Sequence, residues 1–204
     1  EFAFRLAEQR AEQKGRAARL TNVDKANVFV SMAFFRKVFN EAAARHPGVR
    51  ADSAYVDAMA LNLVAKPWQF DVLVTENMFG DILSDLMAAL IGGMGMAPSG
   101  DIGDKHALFQ PAHGTAPDIV GRGKANPTGM ILSAAMMLDW LAQRHQDNAL
   151  ADAARLVERG VESAFASGAV LPMEFGGASG TGAVAAAVIE RVSLHQGAAQ
   201  GVAE

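Results

Sequence analysis

The chain has 204 residues, half of them hydrophobic and a fifth charged, an ordinary composition for a globular protein able to bury a core unaided. It holds no cysteine, which excludes disulfides, thiolate metal sites and cysteine nucleophiles and fits a reducing cytoplasm. A net charge of −4 and a pI near 5.7 argue against a nucleic-acid partner, and the strongest apolar stretch, around 86–97, is broken by Gly92, Gly93 and Gly95 and too short to span a bilayer.

Glu1–Lys14 reads as a charged helix already in progress, and no methionine precedes it. The expectation is therefore a piece of something longer, without a signal peptide. A basic turn leads to a strand at Leu20–Val23, closed by Asp24-Lys25. Ser31 is the expected N-cap of a helix to about Arg45, with Phe34, Val38 and Phe39 on one side and His46-Pro47-Gly48 as the stop. Val49–Tyr55 fits an edge strand, Val56–Ala65 a short helix ended by Lys66-Pro67, and Phe70–Thr75 a buried strand. A helix follows from about Met78 to Leu90, then a glycine-rich bend and a strand at Ala107–Gln110. Pro111–Pro127 carries too much glycine and proline for a regular element. Helices are expected over Gly129–Arg144, Ala149–Ala166 and about Thr181–Leu194, with a frayed tail from Gln196 to Glu204. Strands mixed with helices make this an α/β protein.

Three places carry chemistry. Asp81 and Asp85 stand four residues apart in a helix, so both carboxylates share one face and repel. Phe79, Ile82, Leu83 and Leu86 around them suggest a largely buried helix, where uncompensated charge is costly. Oxygen donors without nearby His or Cys favour Mg²⁺ or Mn²⁺. By spacing alone a solvated helix face accounts for the pair as well. Asp57, in a short apolar helix, is a third acid of this kind.

The segment His113-Gly114-Thr115-Ala116-Pro117-Asp118, with Gly121, Gly123 and Asn126-Pro127 after it, has glycines that let backbone N–H groups approach a ligand. An aspartate there can accept from a ribose diol. The segment lacks G-x-G-x-x-G, so the common dinucleotide fold is not supported, and a structural loop whose Asn126 or Thr128 starts the next helix is an equal reading. Lys25 follows a strand end, where functional groups collect; a surface lysine paired with Asp24 is the plainer alternative.

Taken together these segments resemble the isocitrate and isopropylmalate dehydrogenase family, in order VDKANV (23–28), YVDAMA (55–60), FDVLVTENMFGDILSD (70–85), HGTAPDIVGRGKANP (113–127) and LSAAMML (132–138), with FGGASGT (175–181) similar to its closing segment. The resemblance implies the isopropylmalate dehydrogenase-like two-domain α/β fold, not a Rossmann domain, with its N-terminal part absent. Residues 1–92 would belong to the central dimerisation and metal-binding domain and 93–204 to the cofactor-binding domain.

It further implies Asp57, Asp81 and Asp85 as ligands of Mg²⁺ or Mn²⁺, Lys25 as the proton-transferring lysine, and His113, Gly114, Ala116, Asp118 and Asn126 as the NAD-binding residues. Asp118 matches the position that holds the adenosine ribose, which favours NAD over NADP. Lys25 and Asp57 would serve the partner subunit's site in a homodimer with shared active sites. Gln110 stands where many relatives carry glutamate, and 93–96 and Asp101 also depart from the commoner pattern. The implied reaction is oxidative decarboxylation of a 2-hydroxy di- or tricarboxylate, with 3-isopropylmalate first and D-malate, tartrate, isocitrate and homoisocitrate as rivals. A catalytically inert fragment or a non-catalytic dimerising subunit is the alternative of another class.

Overall fold

The structure, a computed structural model, describes residues 1–200, with side chains through residue 197. The chain divides into two compact units, Glu1–Met87 and a second that begins at Ala88. Among the described residues no helix is long and apolar enough to cross a membrane.

The first unit holds α1 (Phe2–Lys14), β1 (Arg19–Asp24), α2 (Val30–Ala43), β2 (Arg50–Tyr55), α3 (Val56–Ala65), β3 (Val72–Val74) and α4 (Asn77–Leu90), the unit boundary falling in the last turn of α4. Its three strands form a parallel sheet in the order β2-β1-β3, with Asp24 opposite Tyr55 and Leu20 opposite Val72. Parallel neighbours need crossover helices, and α2 and α3 supply them. Because side chains alternate along a strand, Leu20 and Val23 point to opposite faces. Leu20 joins Phe4, Ala7, Phe39, Ala42 and Val72 in one core, and Val23 joins Met59, Leu63 and Leu83 in the other. The sheet is thus covered by α1 and α2 on one face and by α3 and α4 on the other.

Three expectations shift here. Ser31 is not the N-cap of α2: Phe29 holds that place in an extended conformation (φ −108°, ψ 124°) with no side-chain cap. The Lys25 carbonyl takes the N–H groups of Val28 and Phe29 in a turn, and that turn sets the start of the helix. Nor do Phe34, Val38 and Phe39 share a buried side, because Phe39 is 7 % exposed whereas Phe34 is 66 % exposed. The expected strand at 70–75 is shorter, and in this sheet it lies at the edge with only Val72 buried.

The second unit carries β4 (Pro98–Ile102) and β5 (Ala107–Pro111) as an antiparallel ribbon, then α5 (Thr128–His145), α6 (Asn148–Ala166) and α7 (Thr181–Gln200). Strand β4 was not expected from its sequence, since PSGDI combines proline, glycine and aspartate, all poor strand formers. It forms because it is held by β5 and because the Ser99 N–H donates to the Ser133 hydroxyl of α5, which in turn donates toward the Gln110 carbonyl at 2.7 Å. The core lies between the helices, around Val161, Ala164, Val170, Val184 and Val188. The expected fraying from Gln196 is not seen through Gln200, which is helical, and the remainder of that tail lies outside the described residues.

Candidate active-site and cofactor-binding residues

In the first unit the site begins with strand register. Pairing Asp24 with Tyr55 brings the ends of β1 and β2 side by side, so the residues that follow each strand are neighbours. Lys25 Nζ lies 2.8 Å from Asp57 Oδ2 in the first turn of α3, and 5.7 Å from the centre of the Tyr55 ring. The Lys25 ammonium holds the Asp57 carboxyl below its ordinary range, with α3 N-terminal amides adding to the effect. Lys25 does not pair with Asp24, the plainer reading of its sequence.

Asp24 has another partner. It is fully buried at the end of β1 and accepts from Arg36 Nε at 2.8 Å and a second guanidinium nitrogen at 2.6 Å, from Asn22 at 2.5 Å and from the Ala26 N–H at 2.9 Å. Burial pushes this carboxyl up; Arg36 and the two amide donors outweigh it and leave it below the usual carboxylate range. The same guanidinium lies 5.0 Å from the centre of the Tyr55 ring, so Tyr55 has a cation–π contact from both Arg36 and Lys25. This arrangement fixes the turn that displays Lys25. Arg36 carries no signal in the sequence, because its contribution depends on the packing of α2 against β1 rather than on any local motif.

Asp81 and Asp85 project from α4, which starts at a cap the sequence reading also missed. The Glu76 carboxylate accepts from the N–H groups of Met78 and Phe79 at 3.0 and 2.9 Å, satisfying two otherwise orphaned donors. Helix α4 is not largely buried: Phe79 and Leu83 face the core, but Ile82 is 59 % exposed and both aspartates are open to solvent. Neither aspartate side chain has a hydrogen-bond or ion-pair partner among the described residues. Two unpartnered hard-oxygen donors one helical turn apart suit a divalent cation that takes its remaining ligands from outside this helix. Within the described residues no group of three His, Asp or Glu side chains could close around a metal, so Asp57 does not complete the pair inside one chain.

In the second unit β5 delivers the chain to the 113–126 loop. His113 donates from Nδ1 to the Gly114 carbonyl at 2.8 Å, a carbonyl being able only to accept, which leaves Nε2 free to face a ligand. Ala116 is held in the left-handed region (φ 43°) and starts a 3-10 turn, Pro117–Ile119, that presents Asp118 to solvent. The N–H groups of Gly114, Thr115 and Ala116 donate to nothing among the described residues. A Cβ at Gly114 would meet no atom within 4 Å, so a ligand has room there. Exposed amides, an exposed carboxylate and an open approach fit the phosphates and ribose of a dinucleotide. Asn126 differs: it is 7 % exposed, and its side-chain atoms are spent on Thr128 and Glu174, so only its backbone is left for a ligand.

Residues 1–192 match the family described as isocitrate/isopropylmalate dehydrogenase. The chain is 43 % identical over 192 residues to a 3-isopropylmalate/3-methylmalate dehydrogenase of Methanocaldococcus jannaschii, covering 94 % of this chain and 55 % of that protein. It is 45 % identical over 189 residues to an isocitrate/homoisocitrate dehydrogenase of Thermus thermophilus, covering 92 % and 53 %. Among solved structures, isocitrate dehydrogenase from Methylococcus capsulatus superposes with a TM-score of 0.81 at 40 % identity, over 93 % of this chain and 54 % of that one. The chain spans about half the length of the curated relatives it matches.

Proposed function

Because the chain belongs to the isocitrate/isopropylmalate dehydrogenase family, we propose that it forms part of an enzyme that oxidatively decarboxylates a 2-hydroxy acid of the malate type, with NAD and a divalent metal, 3-isopropylmalate being the first candidate. The observation that carries the reading is the pair of open, unpartnered carboxylates, Asp81 and Asp85, on a helix that Glu76 caps. Two like charges at that spacing repel, and a divalent cation bound between them relieves the repulsion.

In this reading Asp81 and Asp85 hold Mg²⁺ or Mn²⁺, and Asp57 of a second copy completes the set. When bound, the cation supplies Lewis-acid polarisation of the C2 oxygen and NAD supplies the hydride acceptor. Lys25 sits at the proton-transfer position and takes the hydroxyl proton through a water as C2 becomes a ketone. The C3–carboxylate bond then breaks, carbon dioxide leaves, and a proton returns to C3, so the sequence has no net proton yield. Asp118 accepts from the adenosine ribose diol, and the open amides of Gly114 and Ala116 receive the neighbouring phosphates. Assignment of 1–92 to a metal-binding and dimerising domain and of 93–204 to a cofactor domain belongs to the same proposal.

A homodimer is supported by apolar side chains left open on the first unit. Leu61 is 69 % exposed on α3 and Ile82 59 % on α4, two helices on the same face of the sheet, and apolar surface of this kind is what a dimer interface covers. The test is NADH formation by the gene's full-length product with Mn²⁺, across isopropylmalate, D-malate, tartrate, isocitrate and homoisocitrate. One substrate turned over, and lost with Asp81→Asn, supports the reading. Silence on all five with metal binding intact rejects it.

A further inference from the structure

The segment Leu171–Thr181 contains none of the residues assigned above to metal, substrate or cofactor, yet it holds the far half of the 113–126 loop at two points. At one end Glu174 accepts from Asn126 Nδ2 at 2.6 Å. The Asn126 carbonyl oxygen meanwhile accepts from the Thr128 N–H at 3.1 Å and the Thr128 hydroxyl at 2.7 Å, so this side chain is locked between α5 and Glu174. Gly95 leaves room for the Glu174 carboxylate in this position: a Cβ there would stand 2.6 Å from Oε2, and the Glu174 side chain would have to shift.

At the other end the Thr181 N–H donates to the Gly123 carbonyl at 2.8 Å and the Thr181 hydroxyl to the Ala125 carbonyl at 2.5 Å. Gly180 permits this approach, since a Cβ would lie 2.5 Å from the Gly123 oxygen. The segment is rigid in itself. Ser179 and Leu171 exchange two hydrogen bonds of 3.0 Å, and at Gly177 a Cβ would stand 2.0 Å from the Leu171 carbonyl oxygen. Residues 123, 125 and 126 are therefore gripped by one pinched strap.

We propose that Glu174 and Thr181 are positioning residues for the nucleotide loop: through Asn126, Gly123 and Ala125 they fix the backbone against which the adenosine end of a dinucleotide rests. This rests on the reading of 113–126 as the cofactor site. The loop carries left-handed glycines at 121 (φ 73°) and 123 (φ 61°), and a segment with such freedom needs an external hold to keep one shape. Thr181 thus gives the Gly123 and Ala125 carbonyls their donors and ties this part of the loop backbone to the start of α7.

The experiment pairs hydrogen–deuterium exchange of residues 121–127, without cofactor, with calorimetric NAD binding and steady-state kinetics on the full-length product. Glu174→Ala and Thr181→Val are compared with Glu174→Gln and Thr181→Ser, which keep the acceptor and the hydroxyl. The expected result is faster exchange in the first two, an NAD Kd and KM raised about five- to tenfold, the scale of one net hydrogen bond, and kcat within about twofold. The conservative variants recover most of the loss. Unchanged exchange and unchanged NAD affinity in Glu174→Ala and Thr181→Val overturn the proposal. A wild-type protein that binds no NAD, while the variants still loosen the loop, rejects the cofactor reading and with it the positioning role, and leaves the strap as a structural tie alone.

Discussion

Lys25 and Asp57, thirty-two positions apart in sequence, meet at 2.8 Å across the ends of two parallel strands. The contact is local to the turn after β1 and the first turn of α3, and the Asp57 side chain is 68 % exposed. An ion pair this open contributes little to stability. Replacing Lys25 should therefore separate function from folding. Lys25→Met is expected to lower kcat by about 10²–10⁴-fold, the range of general acid–base catalysis, while Tm stays within a few degrees. In the same variant the Asp57 pKa is expected to rise back toward 3.8, read by NMR titration, since the Lys25 contact is the largest cause of its depression. Unchanged turnover would remove Lys25 from the mechanism.

Arg36 gives the opposite kind of variant. Its partner Asp24 is fully buried, so Arg36→Met strands a carboxylate in the fold, and a loss of about 3–5 kcal/mol in unfolding free energy is expected. The double variant Asp24→Asn with Arg36→Met should recover a large part of that loss, because the unpaired charge is gone. The sign of the pH effect follows from the depressed Asp24 pKa. Its contribution is present above the unfolded value of 3.8 and disappears as pH falls through the lower folded value. Urea melts of the wild type and both variants at pH 7 check the first two statements, and melts into the acid range check the third.

These two pairs also mark how far the sequence could be read. The helix Val56–Ala65 and its stop at Lys66-Pro67 were legible, because periodicity and a proline are local signals. The aspartates 57, 81 and 85 and Lys25 were legible as residue types in a familiar order. Their surroundings were not. Which strand ends adjoin depends on register, and the pairing of Asp24 with Tyr55 is set by packing on both sheet faces rather than by either strand alone. Arg36 and Glu174 act over twelve and forty-eight positions through tertiary contacts, and neither lies in a motif that marks it. Ile82 looked buried because it is apolar, but the helix has two apolar sides and only the one with Leu83, packed with Val23 of β1, meets the sheet.

His46 ties the turn after α2 to α1. Its Nε2 lies 2.9 Å from Glu1 and its Nδ1 3.0 Å from Glu8, and its ring stacks on Phe4 with centroids 4.7 Å apart. Hydrogen bonds donated by the His46 ring to Glu1 and then Glu8 raise the His46 pKa above 6.5, and His46 with Arg45 holds Glu1 down to about 2. The raised histidine contributes stability that is fully present below pH 6.5 and fades as pH climbs through its folded value. The depressed glutamate contributes stability present above pH 4.5 and lost as pH falls toward 2. The clamp is thus strongest between about pH 4.5 and 6.5. Tm measured against pH for the wild type and His46→Gln should show a difference that is largest in this window and shrinks on the alkaline side. A constant difference across pH 5 to 9 would mean that His46 acts by packing on Phe4 alone.

Metal binding at Asp81 and Asp85 depends on assembly. Asp81 and Asp85 would supply two ligands from one helix, and no third acid of the described residues closes around them, so tight binding would need a second chain or a substrate. Saturating Mn²⁺ at about 100 times its Kd should stabilise the folded protein by about 2.7 kcal/mol, seen as a rise in Tm. Asp81→Asn and Asp85→Asn are expected to abolish the rise, and to change metal-free Tm little, because both side chains are exposed and unpartnered. Asp57→Asn separates the assemblies. If the third ligand comes from a second copy, mixing Asp57→Asn with Asp81→Asn protein should restore one intact site per heterodimer, and a partial Mn²⁺ shift should return after the subunits exchange. No recovery in the mixture, with a full shift in wild type, would place the remaining ligands elsewhere and take Asp57 out of the site.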